Sequence, residues 1–99
     1  MKIWLKIHHQ EEEVVLTACD EKLLGSKLGP DEEGVVVQLK EPFYGGTLVD
    51  IEEVIQFMDQ ATIINMFGEC VTLLIEKGII SKIAVIFVAG VPHLQMCVF

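Results

Sequence analysis

The stretch that decides the fold is DIEEVIQFMDQATIINMFGECVTLLIEK, which runs from Asp50 to Lys77 without a proline. At about 100° of rotation per residue, its apolar side chains fall on two faces instead of one. The first face carries Ile51, Val54, Ile55 and Met58, and nearly opposite it lie Ile63, Ile64, Phe67, Val71, Leu74 and Ile75. One straight helix cannot bury both faces against a single sheet. We therefore predict two helices joined by a bend at residues 59–62.

The ends of these helices carry local signals. Asp50 stands at the N-cap position with Glu53 three residues later, which is the pattern of a capping box. Gly78 follows the last apolar position and ends the second helix, with Lys77 at the negative end of the helix dipole. A short helical stretch is also predicted after Asp20, whose carboxylate is placed to cap it.

Strand patterns flank the helical pair on both sides. The N-terminal residues alternate between apolar and polar side chains, and an acidic turn leads into a second apolar run, so we predict a hairpin at the sheet's first edge. The predicted strands are residues 1–9, 14–18, 35–39 (ended by Pro42), 83–88 (a buried central strand) and 93–99. The chain is predicted to be a single α+β domain over residues 1–99. Its mixed or mostly antiparallel sheet has about five strands, and the two-helix pair covers one face.

The apolar content is high for so short a chain. Hydrophobic residues make up 52% of the 99 residues, and the mean hydropathy is +0.50. A small domain has too much surface to bury that many apolar side chains. The composition therefore favours an interface, either of a homodimer or with another protein partner.

The charge pattern argues against direct binding of nucleic acid. The net charge is -8, all seven basic residues are lysines, and these lysines are scattered along the chain. An acidic surface repels a polyanion, and arginine, the usual side chain for bidentate guanine and phosphate contacts, is absent. Attachment to a ribonucleoprotein through a basic protein subunit stays open.

The three cysteines, Cys19, Cys70 and Cys97, form no CxxC pair, so neither a disulfide framework nor a zinc knuckle is indicated. Cysteine used as a small apolar residue is typical of a reducing cytoplasm.

The longest apolar run without a charge, residues 83–91, is far shorter than the roughly 20 residues that a membrane span needs. We predict a cytoplasmic protein with no membrane contact, no metal and no cofactor.

His93 is the strongest candidate for function. It follows Pro92 on a predicted turn, where a histidine can titrate near neutral pH or bind a metal; the structural alternative is a ring that bonds a carbonyl and fixes the turn. His8 and His9 are neighbours on a strand and face opposite sides, so they cannot chelate one ion together. Either could meet His93 if the first and last strands are adjacent.

Two glycine-containing segments are further candidates. In Tyr44-Gly45-Gly46 the glycines are interpreted as positive-φ turn positions with Tyr44 closing over the core, or as a ligand loop that offers backbone amides. Asn65 and Glu69 are predicted to share one side of the second helix with Gly68, which costs about 1 kcal/mol relative to alanine there. That side is either a close helix crossing or a docking groove.

The ordered set of tracts along the chain resembles a known family. The tracts are Lys2 to His8, Ala18-Cys19-Asp20, Leu24-Gly25, Phe43-Tyr44-Gly45-Gly46, Ala61-Thr62, Asn65, Gly68-Glu69 and Gly90-Val91-Pro92-His93. Together they resemble a small archaeal family of about one hundred residues that is classed as a domain of unknown function. The resemblance implies an archaeal, cytoplasmic α+β protein and no particular chemistry. Leu94 departs from the small residue that is usual in this family after the proline–histidine pair.

Three functional hypotheses follow. The first is a non-enzymatic interaction or accessory domain, with a place in an archaeal translation or RNA-processing complex. The alternative is a small enzyme or ligand-binding protein whose pocket is built from His8, Tyr44, Asn65 and His93. The third is metal binding through a histidine with Cys19 or Asp20; a carboxylate beside a thiol discourages the thiolate, which also argues against Cys19 as a nucleophile.

Overall fold

The computed structural model describes residues 1–98 and contains a six-stranded sheet as its main element. Phe99, the predicted end of the last strand, lies outside the described residues. In chain order the elements are β1 (Ile3–Gln10), β2 (Glu13–Asp20), β3 (Lys27–Leu28), β4 (Val37–Gln38), α1 (Glu41–Tyr44), β5 (Thr47–Val49), α2 (Ile51–Met58), β6 (Ile63–Phe67), α3 (Glu69–Glu76), β7 (Val85–Val88) and β8 (Val91–Cys97). Within residues 1–98, no helix has the length and apolar character needed to cross a membrane.

The strands of the large sheet lie in the order β5-β1-β2-β6-β8-β7, and β3 pairs with β4 in a separate two-stranded ribbon. β2 and β6 are parallel, whereas every other pair of neighbours is antiparallel. The predicted α+β class with a mixed, mostly antiparallel sheet is confirmed. The predicted N-terminal hairpin is present as β1 and β2.

Side chains alternate between the two faces of the sheet, as β1 illustrates. Ile3 and Leu5 are buried in the core beneath α2 and α3, so the predicted helical pair does cover one face. Trp4 faces the other way and packs against a second cluster that contains Tyr44 and Phe67. This second face is covered by residues 21–46, which include β3, β4 and α1.

Residues Ile63–Phe67 form β6, and the prediction that they begin the second helix is wrong. Ile64 and Met66 are buried against the helices, while Asn65 and Phe67 face the other side, which is the period of a strand. β6 pairs with β2 on one side and with β8 on the other, so strand pairing satisfies its backbone and replaces helical bonds. The predicted interruption at residues 59–62 is present, but the helix after β6 spans only Glu69–Glu76.

The edges of the sheet also differ from the prediction. The β1–β2 hairpin lies inside the sheet, because β5 pairs with the outer side of β1. Residues 85–88 form the outermost strand and not a central one, and Ile83 precedes it in an exposed 3₁₀ turn. The predicted third strand is reduced to β4, and Pro42 stands in the first turn of α1, where its missing N–H is tolerated.

Asp20, the last residue of β2, holds the start of α3. Its carboxylate oxygens accept the N–H of Glu69 at 2.7 Å and the N–H of Cys70 at 3.0 Å. A negative charge at a helix N-terminus is favoured by the helix dipole. The predicted local cap is absent, because the Asp20 side chain makes no capping bond with the 3₁₀ turn Glu21–Leu23. Asp50 does not cap α2 either, and its carboxylate pairs with Lys2 at 3.2 Å.

Gly68 makes the contact between Asp20 and α3 possible. It precedes α3 with a φ of 110°, a conformation that L residues with a Cβ rarely adopt. A Cβ at this position would also lie 2.5 Å from the carboxylate carbon of Asp20. The prediction that Gly68 lies inside a helix is therefore wrong. Gly68 is the residue at which β6 ends and the chain turns into α3.

We expect Asp20→Ala to lower the free energy of unfolding by about 2 kcal/mol, because two N–H groups at the start of α3 lose their acceptor. Urea denaturation monitored by circular dichroism measures this change. The matched control is Asp59→Ala, an exposed carboxylate at the end of α2, which should change stability by less than about 0.5 kcal/mol. Equal losses for the two variants would contradict the role assigned to Asp20.

Candidate functional site

A line of polar side chains crosses the face of the sheet that residues 21–46 cover. Four adjacent strands contribute one residue each, and a fifth residue belongs to α1. We name this set the polar stripe: His8 on β1, Thr17 on β2, Asn65 on β6, His93 on β8 and Tyr44 on α1. The fold thus brings together all four residues of the predicted pocket. Thr17 was missed, although a hydroxyl inside the apolar run of residues 14–18 was a visible signal.

Asn65 is the centre of one half of the polar stripe. Its Oδ1 accepts the hydroxyl hydrogen of Tyr44 at 2.8 Å and lies 3.2 Å from Nε2 of His93. Because an amide oxygen only accepts, the ring proton of His93 is on Nε2. Burial raises the pKa of the Tyr44 phenol above its ordinary value, so that this hydroxyl stays protonated and donates.

The other half of the polar stripe converges on the backbone carbonyl of Phe43. Thr17 Oγ1 donates to this oxygen at 2.6 Å, and Nε2 of His8 lies 2.9 Å from the same oxygen. The His8 ring also stacks on the Phe43 ring, with 5.0 Å between their centroids. These contacts fasten α1, and with it the covering segment, to the sheet.

His93 is buried within β8, as the predicted last strand requires, and its alternative placement on a turn is wrong. Its ring stacks on Phe67 with 3.9 Å between centroids, and only 9% of the residue is exposed. Nδ1 is buried and has no hydrogen-bond partner among the described residues. Burial lowers the pKa of His93 below its ordinary value of 6.5, so the ring is neutral at neutral pH.

Gly45 and Gly46 do not take the positive φ angles that the sequence suggested. Gly45 has a φ of -75°, and Gly46 is not among the glycines with positive φ. Space explains both glycines instead. A Cβ on Gly45 would lie 2.6 Å from Cγ of Glu41, and a Cβ on Gly46 would collide with the backbone oxygen of Leu5. The predicted closing of Tyr44 over the core is present.

Glu69 and Pro92, two further predicted site residues, lie outside the polar stripe. Glu69 begins α3 and is exposed, and its backbone N–H binds Asp20. The carbonyl of Pro92 accepts the N–H of Gly68 at 2.9 Å, which continues the β6–β8 pairing by one residue. The predicted grouping of Asn65 with Glu69 on one helix side is wrong, because Asn65 belongs to β6.

The surroundings of the buried cysteines disfavour a reactive thiolate. Burial, reinforced by the neighbouring Asp20 carboxylate, raises the pKa of the Cys19 thiol to about 12, which makes it a poor nucleophile. Burial also raises the pKa of Cys70. Across residues 1–98, no three His, Cys, Asp or Glu side chains are grouped in a way that could hold a metal ion.

We expect Tyr44→Phe to lower the free energy of unfolding by about 1 kcal/mol, because Asn65 loses a buried hydrogen bond. The same substitution in an Asn65→Ala background should cost much less, since the acceptor is already gone. Urea denaturation of the four proteins in this cycle gives the coupling energy. Equal costs in the two backgrounds would show that the hydroxyl does not depend on Asn65.

His93 should make stability depend on pH. Its pKa is lower in the folded than in the unfolded chain, so the unfolded chain binds the proton more tightly. Folding therefore loses stability as the pH falls below 6.5, and keeps the full contribution above it. In urea denaturation at about pH 7 and about pH 5, His93→Gln should lose less stability on acidification than the wild type. Equal losses would contradict this assignment.

Comparison with known proteins places the chain in a family. The fold is similar to the crystal structure of an uncharacterized conserved protein from Methanopyrus kandleri, with a TM-score of 0.84 and 28% sequence identity over 100% of this chain and 93% of that chain. None of the curated proteins matches the chain. Residues 7–99 match the family described as protein of unknown function DUF424, and the chain belongs to that family.

Proposed function

We propose that this protein is a non-enzymatic interaction domain that binds an extended segment of a protein partner along the free edge of β7. The observation that carries the proposal is the character of this edge, which is apolar, uncharged and unpaired among the described residues. A strand with open backbone groups is a template for β-augmentation, in which a partner adds a strand to the sheet.

The direction of the backbone groups on β7 follows from the pairing of β8. Pro92 accepts from Gly68, and Val98 donates to Thr62, so the even-numbered residues of β8 turn their backbone groups toward β6. The odd-numbered residues then face β7, where His93 pairs with Ile86 and Val91 with Val88. Phe87 is left with an N–H and a C=O group that point away from the sheet. Val85 is left with its C=O group, because its N–H donates to the carbonyl of Lys82 in the preceding 3₁₀ turn.

The side chains along this edge are also unusually exposed. Ile83, Ile86 and Phe87 are exposed by 89%, 60% and 66%, respectively. Residues 83–99 contain no Asp, Glu, Lys or Arg, although the whole chain carries a net charge of -8. Edge strands that stay free in solution are commonly protected by charge, proline or a covering segment, and β7 has none of these among residues 85–88.

The opposite edge of the sheet is one residue shorter and exposes no large apolar side chain of its strand. β5 has three residues, of which Val49 is buried, and it is followed directly by Asp50. Asp50 forms a surface ion pair with Lys2 beside this edge. A short strand next to charges is a poor template for pairing. The two edges are therefore not equivalent, and β7 is the one suited to a partner.

The polar stripe favours a structural role over a catalytic one. Its hydroxyl and amide oxygens bond to one another or to the Phe43 carbonyl, and covering residues 21–46 lie over them. A catalytic acid, base or nucleophile needs a substrate within hydrogen-bond reach. Instead, His8 and Thr17 bond to the Phe43 carbonyl, and Tyr44 bonds to Asn65. These bonds join α1 to the sheet, so the stripe is a structural element of the domain.

Affinity purification from extracts of the native cells tests the proposal when three baits are compared. The baits are the wild type, Ile86→Lys, and Phe57→Lys as a matched control with a lysine on α2, away from β7. Burying a lysine in an apolar contact costs more than about 1.4 kcal/mol, so Ile86→Lys should reduce recovery of the bound proteins by at least about tenfold. Phe57→Lys should recover them as the wild type does.

Recovery of the same proteins, in the same amounts, by all three baits would contradict the proposal. Circular dichroism of each bait establishes that loss of binding is not loss of folding. An accessory role in a translation or RNA-processing complex stays a prediction, which the identities of the edge-dependent proteins would decide.

A further inference from the structure

We infer that the strand received by β7 is β7 of a second copy of this chain, paired antiparallel about a two-fold axis at Ile86. This inference rests on the proposed function, because it names the partner that occupies the β7 edge. The result would be one continuous sheet across two copies. A two-fold contact of this kind is self-complementary and closes, so it yields a dimer and not a fibre.

The register follows from the backbone groups that face outward. In an antiparallel pair, residues that point their N–H and C=O groups toward the partner lie opposite one another. On β7 these are Val85 and Phe87, and in this register Val85 of one copy lies opposite Phe87 of the other. In each such pair the N–H of Phe87 donates to the C=O of Val85, whereas the N–H of Val85 stays bonded to Lys82. The two-fold axis then passes between the two Ile86 residues.

Other registers bring residues from outside the strand opposite β7. Placing Phe87 opposite Phe87 would bring Val85 to Ala89, which has a φ of 50° in the turn before β8. Placing Val85 opposite Val85 would bring Phe87 to Ile83, which lies in the 3₁₀ turn before β7. Neither Ala89 nor Ile83 has the extended backbone that a ladder requires. The register centred on Ile86 sets both outward residues of each copy opposite extended residues of the other.

The charges near the edge are complementary in this arrangement. Asp31, Glu32 and Glu33 border an open cleft together with Phe87, Ala89 and Gly90. Lys82, the last charged residue of the chain, precedes β7 at its other end. Antiparallel pairing about Ile86 sets Lys82 of one copy opposite Gly90 of the other, beside that acidic loop. The rest of the contact is uncharged, which limits repulsion between two chains that each carry a charge of -8.

The first experiment is sedimentation velocity of the purified full chain over a wide concentration range. We expect a wild-type dimer, and we expect Ile86→Lys to weaken it by about tenfold or more, because like charges would face each other directly across the strands. Phe57→Lys should leave the dimer unchanged. Lys82→Glu should weaken the dimer, and adding Glu32→Lys and Glu33→Lys to it should restore self-association.

A disulfide tests the register itself. Residues directly opposite in a non-hydrogen-bonded pair have Cα atoms about 4.5 Å apart, which is within the range that a disulfide spans. In a Cys97→Ser background, which removes the exposed native thiol, Ile86→Cys should cross-link two copies when treated with oxidised glutathione. Ile83→Cys, although more exposed, lies three residues from the axis and should not cross-link.

A dimer that is lost in Ile86→Lys and cross-linked through residue 86 alone supports the inference. A dimer that survives Ile86→Lys, or one that cross-links through residue 83 and not 86, would overturn it. A wild-type monomer at every concentration would also overturn it. In that last case, edge-dependent recovery of other proteins from cell extracts would leave the proposed function standing, whereas its absence would remove both.

Discussion

The parallel pairing of β2 with β6 is the contact on which the rest of the structure depends. Its register sets Thr17 beside Asn65 and Cys19 beside Phe67. The next step along both strands brings Asp20 to the start of α3, where it binds the first two amides of the helix. One register therefore fixes both the position of α3 on one face and the polar stripe on the other. A slip by one residue would exchange the faces and undo both.

Several of the segments that carry the resemblance to the family meet at these two places. Cys19-Asp20 meets Gly68-Glu69 at the start of α3, and Tyr44, Asn65 and His93 meet in the polar stripe. Their shared feature is a polar or glycine residue at a close contact between distant parts of the chain. Such residues cannot be exchanged freely, because each one satisfies a buried partner or makes room for one. Maintenance of the fold is sufficient to account for them.

Local patterns predicted much of the architecture. The alternation in β1, the helix after Asp50 and the stop at Gly78 depend on neighbours in sequence, and each is present. β6 was not predictable in this way, because its apolar residues fit a helical stripe as well as a strand. Its strand conformation depends on pairing with β2 and β8, which lie far away in sequence. The same limit applies to Gly45 and Gly46. Glycine is required at these positions because the backbone of α1 and of β1 approaches closely and leaves no room for a Cβ.

The sequence predicted which residues belong to the candidate site but not how they are arranged. Histidine, tyrosine and asparagine stood out against an apolar background, and the fold does bring His8, Tyr44, Asn65 and His93 to one face. Whether they would surround a cavity or bond to one another depended on where the covering segment lies, which no local signal gives. The apolar surplus was likewise visible in the composition, while its location on β7 required the strand order.

Amide hydrogen exchange along β7 tests the central claim most directly. Ile86 and Val88 bond to β8, so their amides are protected in any folded form, whereas that of Phe87 is protected only when another strand covers the edge. At high protein concentration, we predict slow exchange at all three amides, with protection of Phe87 lost first on dilution. Fast exchange of Phe87 at every concentration, beside protected Ile86 and Val88, would contradict pairing at this edge.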